Sequence, residues 1–203
     1  MPRATGETSV GLSGMILGLV LFLGVHLVST KRDVRAQLIA RHGESLYKLG
    51  YALVSFVGLA LIVWGFANYR ANGWIDVWYP PKAMRHITVA LMLPAVILLV
   101  AAYLRGRIYT VVKHPMLAAV KLWALSHLLA NGDLGSIILF GAFLAWAVVD
   151  RISLKRRTDP GSPPIPVGGP LNDVIAVAVG IVAYLALGFA FHPVVIGVPV
   201  FGA

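Results

Sequence analysis

Five stretches of this chain run without a single Asp, Glu, Lys or Arg over lengths that match the thickness of a bilayer: 8–30, 49–69, 86–104, 134–149 and 174–203. About 20 residues of helix span about 30 Å of hydrocarbon, so four of the five suffice alone and 134–149, with 16 residues, must borrow its flanks. A sixth segment, 113–132 (KHPMLAAVKLWALSHLLANG), is apolar apart from Lys113, His114, Lys121 and His127. Hydrophobic residues make up 59% of the chain and charged ones 12%, against about 25% charged in a soluble domain. The expected fold is therefore an all-α, polytopic transmembrane bundle of about six helices. A five-helix core fills 1–157, and 158–203 supplies a Pro/Gly-rich linker and an additional C-terminal helix. The first run is long for a signal peptide and has no small-x-small site before Lys31, so it reads as a retained helix.

Orientation follows from the basic residues. The segments 31–48, 105–113 and 151–157 hold 12 of the 17 Lys and Arg; Arg3, Arg70, Lys82 and Arg85 lie on the other side, and Lys121 lies within the membrane. The positive-inside rule puts the 12 in the cytoplasm and both termini outside. The net charge of +9 is then a topology signal that also draws anionic headgroups, and with no soluble domain to present a basic surface it does not point to nucleic acid. Tyr69, Trp74, Trp78 and Tyr79 read as an aromatic belt at the outer interface. Gly14 and Gly18 form a small-xxx-small pair that permits close helix approach, Pro94 is expected to kink its helix, and Asn131-Gly132-Asp133 makes the fourth and fifth segments a hairpin. There is no cysteine, which removes disulfides and thiolate chemistry.

An ionisable side chain in hydrocarbon is expensive unless paired or bound to something, so an intramembrane histidine is a candidate for function. Of the six histidines, His42 falls in a charged loop, His86 at an interface and His192 before Pro193 at a helix end. His26, His114 and His127 remain. Imidazoles on the apolar faces of separate helices, with the acids confined to loops and helix ends, suit bis-imidazole haem ligation, since haem iron takes one nitrogen on each side of its plane. Zinc would want more ligands, including a carboxylate. At about 100° per residue His114 and Lys121 share a helix face and His127 points nearly opposite, so His114 and His127 cannot both hold one iron on a regular helix.

The segments LGLVLFLGVH, KHPMLAAVKLWALSHLLANG and LFGAFLAWAVVD closely resemble the NnrU family of bacterial membrane proteins over about residues 11–157. The family takes its name from genes tied to nitrite and nitric oxide reduction, and it includes a plant carotenoid isomerase that uses haem b. The resemblance implies a bacterial inner-membrane protein with haem b held by His26 and His127, acting in nitrogen-oxide redox or sensing chemistry or in cis-trans isomerisation. His114, in the His-Pro corner, matches a histidine that is not the assigned ligand. The isomerase's further His-His pair falls here on Trp146 and Ala147, which separates its activity from its haem. Membrane depth favours a rival pair, His26 with His114, because His26 and His127 are expected nearer opposite faces. Lys121, Arg105 and Arg107 are the candidate cations for haem propionates.

Two other readings stand beside this one. RIYTVVKHPMLAAVKLWALSHLLANG is similar to the S-adenosylmethionine-binding end of integral-membrane methyltransferases, although one acid, Asp150, stands where those enzymes carry two. A helical subunit or assembly factor of a respiratory membrane complex is the third. The expected ligands and partners are thus the lipid bilayer, a small hydrophobic or nitrogen-oxide ligand, and a membrane-protein partner. Reporter fusions after Lys48 and after Arg157 should both report cytoplasm; a periplasmic signal at either overturns the orientation drawn from the basic residues.

Overall fold

A computed structural model describes residues 6–157 and 166–201. Arg3, and the stretch 158–165 with Asp159 and much of the expected linker, lie outside the described residues. Among the described residues the chain forms eight helices and no strand: α1 (Gly6–Val28), α2 (Arg32–His42), α3 (Glu44–Ala71), α4 (Lys82–Leu104), α5 (Arg107–Val112), α6 (Pro115–Ala130), α7 (Leu134–Arg156) and α8 (Pro170–Ala186). The last continues as a π-helical stretch, Leu187–Ile196. Helices α1, α3, α4, α7 and α8 with its continuation are long and apolar enough to cross a bilayer. The chain is an all-α, multi-pass membrane protein.

The run 134–149 does borrow a flank, since α7 continues to Arg156 and reaches 23 residues. The short member is instead the histidine-bearing α6. Its 16 residues cover only about 24 Å at 1.5 Å per residue. Two helices, α2 and α5, were not expected: both are short, α2 carries Arg32, Arg35 and Arg41, and α5 starts at Arg107 and is followed by Lys113, basic residues that mark their segments as loops.

The residues group into two compact units, one made of the chain up to Tyr79 with Asn131–Lys155, the other of Pro80–Ala130 with the residues from Arg156 onward. In the first unit α1 and α3 run antiparallel and meet backbone to backbone. A Cβ on Gly18 would lie 2.6 Å from the Ile62 nitrogen and 2.7 Å from the Gly58 oxygen; one on Gly11 would lie 2.6 Å from the Tyr69 nitrogen. The facing glycines reciprocate, Gly58 against the Phe22 nitrogen and Gly65 against the Met15 nitrogen. Met15, fully buried, fills the space between the two crossings. The expected pair of Gly14 and Gly18 is corrected to Gly11 and Gly18: seven residues are two helical turns and return to one face, whereas Gly14 meets the ring of Trp64.

Helix α7 lies beside this pair, and its start is tied down by Asp133. That carboxylate accepts from the Ser136 backbone at 2.9 Å and the Ser136 hydroxyl at 2.7 Å, capping the helix, and it also takes Arg70 Nη1 at 3.1 Å. The neighbouring 131–133 turn joins the loop after α3, through Val77 N to Gly132 O at 2.9 Å and Leu134 N to Ile75 O at 2.8 Å. Tyr69 is fully buried, accepts from the Ile75 nitrogen at 2.9 Å and packs its ring against Gly135, so it leaves the expected aromatic belt. Trp74, Trp78 and Tyr79 stay exposed.

In the second unit α4 is the strut for two neighbours. Ser126 of α6, fully buried, presents its carbonyl to the Thr88 hydroxyl at 2.8 Å, and Tyr184 of α8 donates to the Val89 carbonyl at 3.0 Å. Pro94 lies inside α4 and leaves the Ala90 carbonyl without its helical donor. At the other end of the strut Asp173, near the start of α8, caps α5 by accepting from Arg107 N at 2.8 Å and Ile108 N at 2.9 Å.

The glycine contacts should govern stability. Gly18→Val forces two helix backbones apart and is expected to cost about 1–3 kcal/mol, the scale of an overpacked interior. Gly24→Ala, at a site with nothing within 4 Å, should be neutral. Thermal unfolding in detergent checks the contrast, and equal midpoints for the two variants would refute the packing argument.

Candidate functional site

In a bilayer an imidazole N–H needs a protein acceptor, and the histidines find it one turn back on their own helices. His26 Nδ1 lies 2.6 Å from the Phe22 carbonyl and His127 Nδ1 lies 2.8 Å from the Trp123 carbonyl. A carbonyl only accepts, so in the neutral ring Nδ1 carries the hydrogen and Nε2 carries the lone pair. This second bond is what fixes the tautomer and aim of a metal-ligating histidine.

His26, half-buried in the first unit, is walled by aromatic rings. Phe22 stacks on it at 4.3 Å, Tyr51 of α3 lies at 5.2 Å, and Trp146 of α7 presents an edge at 5.8 Å and 89°. The antiparallel glycine register that sets Gly18 on Gly58 carries Tyr51 to the level of His26. The indole Nε1 of Trp146 is buried without a hydrogen-bond partner, as is the hydroxyl oxygen of Ser55, one turn along α3 from Tyr51.

His127, half-buried in the second unit, has an unexpected neighbour. His192 lies, as expected, at a helix end, in the last turn of the π-helical continuation of α8, where its carbonyl accepts the capping Gly197 N–H; its ring lies 6.3 Å from that of His127 with the planes 28° apart. His192 Nδ1 is 3.0 Å from the Leu187 carbonyl, five residues back because the turn is wide, so it too keeps Nε2 as the lone-pair nitrogen. The signal was present in the sequence: position 192 falls well inside the uncharged run 174–203.

His114 is not on the face of α6. It precedes Pro115, the first helical residue, and its carbonyl accepts from Ala118 N at 3.1 Å while its own N–H goes to Val112 O at 2.8 Å. It is thus the N-cap residue of α6, with proline in the first helical position where a missing N–H costs nothing, and the 100° rule does not reach it. Lys121 is half-buried on α6. Arg105 ends α4 in a left-handed conformation, φ 51°, with its guanidinium 5.5 Å from the Tyr109 ring and Nη1 buried without a hydrogen-bond partner. The side chain of Arg107 is exposed. His42 and His86 are exposed as well. The expected site residues thus divide between the units, His26 in one and His114, His127, Lys121, Arg105 and Arg107 in the other. Among the described residues no three His, Asp or Glu side chains are grouped to hold a metal ion.

A family model described as NnrU protein matches residues 14–200. No curated protein matches the chain, and no solved structure does.

The carbonyl partners have a spectroscopic consequence. In protein labelled with 15N-histidine, the neutral rings of His26 and His192, assigned by their Ala variants, should carry hydrogen on Nδ1. Protonation on Nε2 would remove the argument that these rings are set as ligands.

Proposed function

Because the chain belongs to the NnrU family, we propose that it is a membrane haem protein that binds haem b through His127 and, as the resemblance implies, His26. The observation that carries this reading is the shared tautomer: both rings commit Nδ1 to a carbonyl of their own helix and keep the Nε2 lone pair. The donor set fits the group, being imidazoles without thiolates and without the carboxylates that a zinc site would want. Bound haem supplies one-electron chemistry and an iron position that takes a small ligand such as nitric oxide.

The other residues have definable tasks. Arg105 offers a buried guanidinium nitrogen with no partner, suited to a propionate, because a carboxylate out of water needs a cation. Lys121 is the second cation, and the exposed Arg107 is the weakest of the three. The aromatic wall of His26 excludes water, and the unpartnered indole N–H of Trp146 is a donor for an oxygen or nitrogen atom brought into that wall. With Trp146 and Ala147 in place of the isomerase's histidines, redox or sensing chemistry of nitrogen oxides is the preferred activity, and polyene isomerisation comes second.

Purified in detergent from haem-replete cells, the protein should show a Soret band and the spectrum of a six-coordinate low-spin haem b, and His127→Ala should abolish the low-spin form. A preparation that stays colourless after reconstitution removes the haem reading. Saturable S-adenosylmethionine binding lost in His114→Ala would then install the methyltransferase reading in its place.

A further inference from the structure

We infer that Arg105 and the turn around α5 form a binding site for the phosphate of an anionic phospholipid. The inference goes beyond the haem reading and does not depend on it. The first observation is the guanidinium. Its Nη1 is buried with no hydrogen-bond partner, and it stands 5.5 Å from the Tyr109 ring. Among the described residues no carboxylate is paired with it. The neighbouring acid, Asp173, commits its two oxygens to the Arg107 and Ile108 nitrogens. A guanidinium nitrogen out of water without an acceptor is costly, and an oxyanion from outside the protein removes that cost.

The second observation lies in the backbone. Arg105 has φ 51° and Lys113 has φ 63°, and they are the only non-glycine residues with positive φ among the described residues. One precedes α5 and the other follows it. Glycine takes such a conformation without strain. A bulkier residue persists there only where its surroundings hold it, and outliers of this kind gather at ligand clamps. The hold on Arg105 is explicit. Its nitrogen donates to the Ala101 carbonyl at 3.1 Å, its carbonyl accepts from Gly168 N at 2.9 Å, and Asn172 Nδ2 donates to the adjoining Leu104 carbonyl. Because α5 has only six residues, about 9 Å of helix, both strained basic residues stay close to the exposed Arg107.

Position and surroundings name the anion. Arg105 follows the last residue of α4, a helix long and apolar enough to cross a bilayer, and a cation at such an end reaches the level of the headgroups. Beside the cations Tyr103 and Val111 are 74% and 78% exposed, surface that an acyl chain covers while the phosphate meets the guanidinium. Free phosphate gains nothing from those side chains. A haem propionate offers the same oxyanion chemistry, and the lipid is favoured over it because the apolar partners of the site face outward.

The test is thermal unfolding of the full chain in detergent, titrated with phosphatidylglycerol, with phosphatidylcholine and with inorganic phosphate. Phosphatidylglycerol should raise the midpoint saturably, and the other two should not. Arg105→Gly should bind phosphatidylglycerol about tenfold more weakly, the effect of losing one charge-assisted contact. Its lipid-free midpoint should stay at or above that of the wild type, because glycine accepts φ 51°. Lys113→Gly, at the second positive φ, should weaken binding in the same direction. Arg41→Gln, which removes an exposed cation from α2 in the first unit, should keep the wild-type response. An equal rise with phosphatidylcholine overturns the inference, as does an equal rise with inorganic phosphate, which marks a free-phosphate site. An equal loss in Arg41→Gln overturns it in favour of attraction by net charge alone. Arg105 and Lys113 variants that respond as the wild type does also overturn it, and loss of haem in that Arg105 variant then gives the guanidinium to a propionate only. The readout involves no haem, so a colourless preparation removes the haem reading and not this one.

Discussion

The structure depends on one constraint: inside a bilayer there is no water to satisfy a polar hydrogen, so a donor is costly wherever the protein itself does not meet it. For the backbone the answer is the helix. For the imidazoles it is a carbonyl one turn back, Phe22 for His26, Trp123 for His127 and, across a wide turn, Leu187 for His192. The same bond that makes a histidine tolerable in hydrocarbon also chooses which nitrogen keeps its lone pair. The ring's tolerance of its surroundings and its tautomer are thus set by a single contact at each position.

Packing obeys a related limit. Between membrane helices there is no hydrophobic drive, since lipid tails are as apolar as leucine, and association rests on close approach and on hydrogen bonds. Glycines at 11, 18, 58 and 65 supply the first in one unit. In the other, hydroxyl groups of Thr88 and Tyr184 reach across to backbone carbonyls on α6 and α4. The two devices have different consequences: glycine contact fixes the distance between axes, while a hydroxyl fixes the register of one helix along another. Register is what brings His127 level with His192.

Much of this was legible in the residues. Uncharged runs mark the long helices because length and apolarity are the only requirements for crossing, and the histidines stood out because they violate that apolarity. What could not be read was anything decided between helices. Gly14 and Gly18 satisfy the small-residue spacing, but which face meets α3 is settled by the partner, and Gly11 with Gly18 is the face that does. Tyr69 has the composition of an interfacial residue and is instead buried under the 131–133 turn, whose pairing with the loop after α3 leaves no local trace. His192 does stand at a helix end, but its ring contact with His127 is decided between helices and leaves no local trace. His114 was put on a helical face because α6 was taken to begin before the His-Pro corner rather than at Pro115.

The partners of the imidazoles also bear on what a bound iron could do. A carboxylate on Nδ1 pushes an imidazole toward imidazolate and makes it a stronger ligand, whereas a carbonyl orients the ring and adds less basicity. The Nδ1 atoms of His26, His127 and His192 all rest on carbonyls. Ligands of ordinary strength are displaceable, and a site that must admit a small molecule at an iron already carrying two imidazoles needs one of them to leave. Weak second bonds therefore follow from setting imidazoles on helices in a medium that offers no partners beyond the backbone carbonyls.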